Sequence, residues 1–267
     1  MKFEQVERKV KNPPAAQNVA RLLDPQSEIK TTENIAKFAV SIPAFNYLPG
    51  QTVIRDRVAL GLELATAVAT VQKAGAPAGR LHNETFVRAF YQYDGTRRYS
   101  ASRMLDSYKG QFKISREIAV PTHPTFTILE NAKQIPVVIC GWKSFGLEPD
   151  QVRAWLSMLE SGLFSFADYS GSPWEVVILS ERETGTGLMR MPTVIKAGDY
   201  QLFSAADLRE LAAMYARALK AAMPLARALW EKREEARKDR QGDDTRRDSP
   251  HQSEDRQIEM FADTKRG

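Results

Sequence analysis

From residue 231 to residue 256 the chain contains no large aliphatic and no aromatic side chain; Glu, Asp, Lys, Arg, Gln and small residues dominate it. A stretch of that composition cannot bury enough apolar surface to offset the entropy of ordering it. The core must therefore be assembled from residues 1–230. Apart from a helical extension at its start, the stretch 231–256 is expected to be a solvated linker. What precedes it is long enough for a substantial core, arranged as one domain or two subdomains.

Within the body, periodicity predicts an α+β fold with a mostly antiparallel sheet and three substantial helices, followed by a disordered C-terminal tail. After Pro13-Pro14, residues 15–23 read as a short helix. The first long helix is expected over 51–73, where Leu60, Leu64, Ala67, Val68 and Val71 form one stripe and Gly75-Ala76-Pro77 ends it. A second starts at Glu148-Pro149-Asp150 and runs to Glu160, with Val152, Trp155, Leu156 and Leu159 on its core face and Gly162 closing it. The third follows Ser204, an N-cap with Asp207 three residues on. It buries Leu208, Leu211, Ala212, Tyr215, Leu219 and Met223, is expected to kink or split at Pro224, and continues as a charged rod to about Arg240. Strands are predicted over 111–120, 125–130 and 135–141, separated by prolines. Residues 135–140 form a continuous apolar run and so read as a strand buried on both faces. Residues 174–180 and 187–196 make a hairpin.

Residues 84–104 are the most suggestive part of the body. Phe86, Val87, Phe90, Tyr91 and Tyr93 lead into Asp94-Gly95, a dipeptide suited to a tight turn, so a hairpin is expected; the alternative is a short helix over 83–91 capped by Asn83. Arg88, Tyr91, Tyr93, Arg97, Arg98, Tyr99 and Arg103, with Lys109 nearby, interleave guanidinium groups and rings. Guanidinium forks bind phosphates and tyrosine faces stack on bases, which makes this set a candidate nucleic-acid contact. The bland reading is a solvated hairpin whose tyrosines cover the edge of the core. Charge agrees with either: the net +5 resides on the body, because the tail is nearly neutral.

Other chemistry finds little support. A single cysteine, Cys140, rules out an internal disulfide or a cysteine-based zinc site and reads as a small buried hydrophobe. His82, His123 and His251 fit no zinc spacing. Thr184-Gly185-Thr186-Gly187 lacks the Lys and the helix of a phosphate loop. Glu175, Glu181 and Glu183 read as solvent-facing positions of a hairpin rather than metal ligands. No catalytic residue, metal ligand or cofactor site is assigned. The start carries no apolar leader and no run is long enough to span a membrane, so a cytoplasmic protein is expected; many alanines and arginines suggest a bacterial source.

Beyond the linker, apolar residues return together: Gln257-Ile258-Glu259-Met260-Phe261. This pentapeptide resembles the clamp-binding motif of bacterial proteins that dock on the DNA polymerase sliding clamp, written Gln-Leu-Ser/Asp-Leu-Phe. Gln257 and Phe261 match, Glu259 supplies an acidic middle position, and Ile258 and Met260 replace the leucines. The resemblance implies a short linear ligand whose glutamine bonds at the rim of a groove while the last two apolar side chains fill it. It names a partner, not an activity, and covers five residues. Alternatives are another groove-bearing partner, or a hook folded back on the body. The expectation is a DNA-associated accessory protein of replication, repair or mobile-element maintenance, held on the clamp by its tail and touching DNA through the basic hairpin. A clamp-recruited nuclease-like enzyme and an assembly protein with a non-DNA partner are the competing classes.

Overall fold

A computed structural model describes residues 1–103, 110–166, 169–185 and 187–247. In chain order the elements are helices α1 (Phe3–Lys11), α2 (Ala16–Leu22), α3 (Glu28–Val40), α4 (Leu48–Leu60), α5 (Leu64–Lys73) and α6 (Arg80–Asp94). Strands β1 (Ala101–Arg103), β2 (Gln111–Lys113), β3 (Ala119–Pro121), β4 (Phe126–Glu130) and β5 (Lys133–Cys140) follow. Helix α7 (Pro149–Leu159), strands β6 (Glu175–Thr184) and β7 (Gly187–Lys196), and helix α8 (Ala205–Arg247) complete the chain. The fold is α+β.

Strand β5 is central because its side chains have no polar face. Val137 and Ile139 point to one apolar cluster, with Phe86 and Phe90 of α6; Val138 and Cys140 point to another, with Trp155 of α7. The main sheet runs β1-β4-β5-β6-β7, antiparallel except for β5 and β6, which pair in parallel. Parallel neighbours need a crossover, and α7 supplies it. Helices α4 and α6 cover one face; α7, backed by α1, α2, α3 and α8, covers the other. Pro136 precedes the first residue paired to β6, so a missing N–H on that side breaks no ladder bond. Pro192 lies in the edge strand β7, where proline is tolerated for the same reason.

Several expectations are corrected. The helix expected over 51–73 is two helices, because Gly61 takes φ 72°, the left-handed conformation that ends α4. Ala67, Val68 and Val71 are buried as predicted, whereas Leu60 at the break is 81% exposed. The strand expected over 111–120 is folded into the β2–β3 hairpin, whose turn is fixed by Ser115 Oγ accepting from the N–H groups of Glu117 and Ile118. This small sheet packs on the wide turn after α7, where Ser165 N–H bonds Glu160 O. Gly162 is needed there for close approach: a Cβ would lie 2.7 Å from the Phe112 backbone nitrogen. Helices α1 and α3 escape the sequence reading because their buried stripes are narrow, Val6 and Val10 in one and Thr31, Ile35, Ala36 and Ala39 in the other.

The long helix α8 keeps Pro224 inside it instead of splitting there. Its cap is as expected, with Ser204 Oγ accepting from Asp207 N–H at 3.1 Å. Ala218, Ala222 and Ala226 are fully buried, and such small side chains bring α8 close to α1 and α3. From residue 231 to residue 238 its side chains are exposed, apart from the half-buried Glu234. The expected unordered tail beyond Arg247 lies outside the described residues.

Two measurements test this architecture. Burial pushes the Cys140 thiol up to about 12, so a thiol reagent is expected to leave the native protein unlabelled and react only on unfolding. Rapid labelling of the folded chain would contradict the two-sided burial of β5. The two-residue turn between β4 and β5 holds both Asn131 (φ 51°) and Ala132 (φ 58°) in the left-handed region. Ala132→Gly is expected to stabilise the protein by about 1 kcal/mol in urea denaturation.

Candidate functional site

The basic and aromatic residues of 84–104 are not arranged on a hairpin. Residues 84–94 belong to α6, because Phe86, Phe90 and Tyr93 fall on one helical stripe and all three bury against the sheet. Asn83 sits within the helix rather than at its cap: its Nδ2 donates to Asn46 O and Gly79 O, and its Oδ1 accepts from Gly50 N–H. Asp94-Gly95 closes the helix, and the returning strand β1 pairs with β4.

Two charge clusters form where α6 ends. In the first, Arg97 Nη1 donates to both carboxylate oxygens of Glu175, at 2.7 and 2.8 Å, while Nη2 lies 2.7 Å from Glu130 Oε2. The Tyr93 hydroxyl donates to Glu175 Oε2 at 2.7 Å, and the Arg97 guanidinium lies 5.3 Å from the Tyr93 ring centroid. Burial, then the Glu175 charge, raises the Tyr93 phenol far above its ordinary range, so it stays a donor. Glu175 is only 4% exposed, which corrects its expected solvent-facing position. In the second cluster, Arg57 Nε donates to Asp94 Oδ2 at 2.7 Å and the Tyr99 hydroxyl to Asp94 Oδ1 at 3.0 Å. The hydrogen bond that Arg57 donates to Asp94 raises the Arg57 pKa, and burial pushes Tyr99 up to about 12.

The predicted set thus divides. Tyr93 and Arg97 meet in the first cluster, and Tyr99 joins the second with Tyr91, whose hydroxyl donates to Leu62 O beneath the Arg57 guanidinium. Arg88 and Arg98 point outward; Arg88 pairs with Glu84 at 2.9 Å. Arg103 lies in β1 opposite Thr127. Lys109 and the peptide residues Gln257, Ile258, Met260 and Phe261 lie outside the described residues. Sequence reading missed Arg57, Asp94, Glu130 and Glu175 as partners. The signal available was charge balance: an arginine-rich stretch followed at long range by isolated acids inside apolar strands. The clusters tie the end of α6 to the β4–β5 turn and to the start of β6. Every carboxylate in them is already bonded to a donor.

Among the described residues, no group of three or more His, Cys, Asp or Glu could hold a metal ion. Two open clefts have no residue of either cluster in their lining. One, of about 520 Å³, is lined by Lys133, Phe164, Tyr169, Trp174 and Tyr200. The other, of about 480 Å³, carries Glu28, Asp150, Asp207 and Glu210 with Arg153 and Arg217. Several of these are internally satisfied: Trp174 Nε1 donates to Glu160, Arg217 pairs with Glu28, and Arg153 pairs with Asp150. No helix among the described residues is long and apolar enough to cross a membrane. No protein-family model, no curated protein and no solved structure matches the chain.

Removing one partner of a buried ion pair leaves the other charge desolvated and uncompensated. Glu175→Ala is expected to destabilise the fold by about 3–5 kcal/mol in urea denaturation, against less than about 1 kcal/mol for removing the partly exposed Arg88–Glu84 pair. Equal effects of the two changes would mean that the Glu175 cluster does not tie the layers together.

Proposed function

We propose that the protein is a DNA-associated accessory factor of replication, repair or mobile-element maintenance, held on a bacterial sliding clamp by Gln257, Ile258, Met260 and Phe261. The observation that carries this reading is the course of α8. Among the described residues its last hydrogen bond to the body is Arg233 Nη1 to Val40 O, and the helix then continues to Arg247. Fourteen further helical residues, at a rise of about 1.5 Å each, carry the chain about 20 Å from that bond. No large apolar side chain lies between residue 231 and the peptide, so nothing on the way competes for the body's core. A ligand peptide at the end of such a spacer reaches a groove on a partner without disturbing the fold that bears it.

The DNA part of the reading rests on the positive excess of the body. Within the 84–104 set, only outward side chains serve it: Arg88 and Arg98 are exposed, whereas Tyr93 and Arg97 are bonded internally. A weak clamp attachment and a weak DNA attachment on one chain reinforce each other through effective concentration.

Capture of the full chain on an immobilised bacterial clamp tests the partner. The double variant Gln257→Ala, Phe261→Ala is expected to lose capture at least about tenfold while its urea midpoint stays unchanged. Undiminished capture by that variant would end the proposal.

A further inference from the structure

Lys9 and Arg233 come together at the C-terminal end of α3. Lys9 Nζ donates to Ser41 O at 2.7 Å and Arg233 Nη1 to Val40 O at 2.6 Å, so two cations from α1 and α8 sit on neighbouring carbonyls. No described carboxylate forms an ion pair with either. The end of a helix offers about half a negative charge, which leaves two full cations largely uncompensated. An ammonium has three N–H donors and a guanidinium five, so most of theirs remain available after these two bonds. Desolvation, followed by the Arg233 charge, lowers the Lys9 pKa, as expected for an ammonium crowded by a like charge.

Beside the pair runs an open groove of about 320 Å³, lined by Met1, Gln5, Arg8, Lys9, Ile42 and Pro43. Its lining includes Arg8 and Lys9 and no acid, in contrast to the cleft that carries Glu28, Asp150, Asp207 and Glu210. Arg227, 4.6 Å over the Phe3 ring of α1, is a further exposed cation of α8 beside α1. The pair also stands at the base of the segment of α8 that leads to the peptide.

We infer that Lys9 and Arg233, with Arg8 at the edge of the groove, form a phosphate contact for the sugar-phosphate backbone of DNA, read without regard to sequence. A phosphodiester is a permanent anion that only accepts hydrogen bonds, which complements donors that form no ion pair with a described carboxylate. The groove is open and shallow, suited to a polyanion passing along it rather than to an enclosed small molecule. This inference rests on the DNA half of the function proposed above and relocates the contact from 84–104 to the α1–α3–α8 corner. A chain held on a ring that encloses duplex DNA has this corner as the part of its body nearest, along the chain, to the ring.

The test is fluorescence anisotropy of a labelled duplex with the full chain across a salt series. The double variant Lys9→Gln, Arg233→Gln should bind about tenfold more weakly, and the slope of log K against log salt should shrink by about 1.8, or 0.9 for each lost phosphate contact. Arg88→Gln with Arg98→Gln should change both far less. Both pairs are surface substitutions, and matching urea midpoints would establish that folding is intact. If the wild type binds and the Lys9, Arg233 variant binds equally, this inference alone fails. If the wild type shows no salt-dependent binding, the DNA half of the function fails with it, while clamp capture is judged separately. Loss of sedimentation with anionic phosphatidylserine vesicles in the variant, with DNA binding unchanged, would assign the corner to a membrane surface and overturn the DNA contact.

Discussion

The parallel pairing of β5 with β6 imposes more on this molecule than any other contact. Antiparallel neighbours can be joined by a tight turn and can leave one face in water; a parallel pair requires a crossover and needs apolar cover on both sides. Here the crossover is α7, which covers one side through Trp155 and Leu156, and α6 covers the other through Phe86 and Phe90. Helix α7 then needs backing of its own. Part of that comes from α2, whose buried Val19 and Ala20 join the same cluster, and α8 closes the layer. Helices α2, α6, α7 and α8 all serve that single pairing.

The second organising feature is how the arginines are used. Arg97 spans Glu175 and Glu130, Arg57 holds Asp94, and Arg190, 5% exposed, donates to Gly141 O, Leu179 O and the Tyr47 hydroxyl. Each joins segments far apart in the chain, and guanidinium suits the task because it remains charged and carries a planar fork of donors. A buried ion pair adds little net stability, yet it discriminates strongly against misregistered packing, because a shifted partner would leave a bare charge inside. These arginines therefore act in positioning the layers, and together with Asp94, Glu130 and Glu175 they leave the body's net positive charge unchanged.

Much of the architecture was legible in the sequence where one rule applied without competition. The run 135–140 read as a buried strand, the Val152, Trp155, Leu156, Leu159 stripe as a helix, and Ser204 with Asp207 marked a helix start. The stretch 84–94 misled because Phe and Tyr favour strands locally, whereas its three large rings also match a helical period, and tertiary burial decides between the two. Likewise Asn131-Ala132 forms a tight turn without the usual glycine, held by the β4–β5 ladder around it. The acids that neutralise Arg57 and Arg97 come from 37 residues away (Asp94) and 78 residues away (Glu175) in sequence, so local pattern could not pair them.

The unbroken course of α8 has a mechanical consequence. One and the same rod is packed against α1 and α3 through its alanines and extends beyond the body to Arg247. A pull on its outer end is therefore not absorbed by a slack joint at residue 231; it is delivered as shear along the alanine seam. The rod also limits how the body can swing about whatever grips the far end, since its first pivot lies no earlier than the end of the helix. Orientation, and not reach alone, is set by this one element.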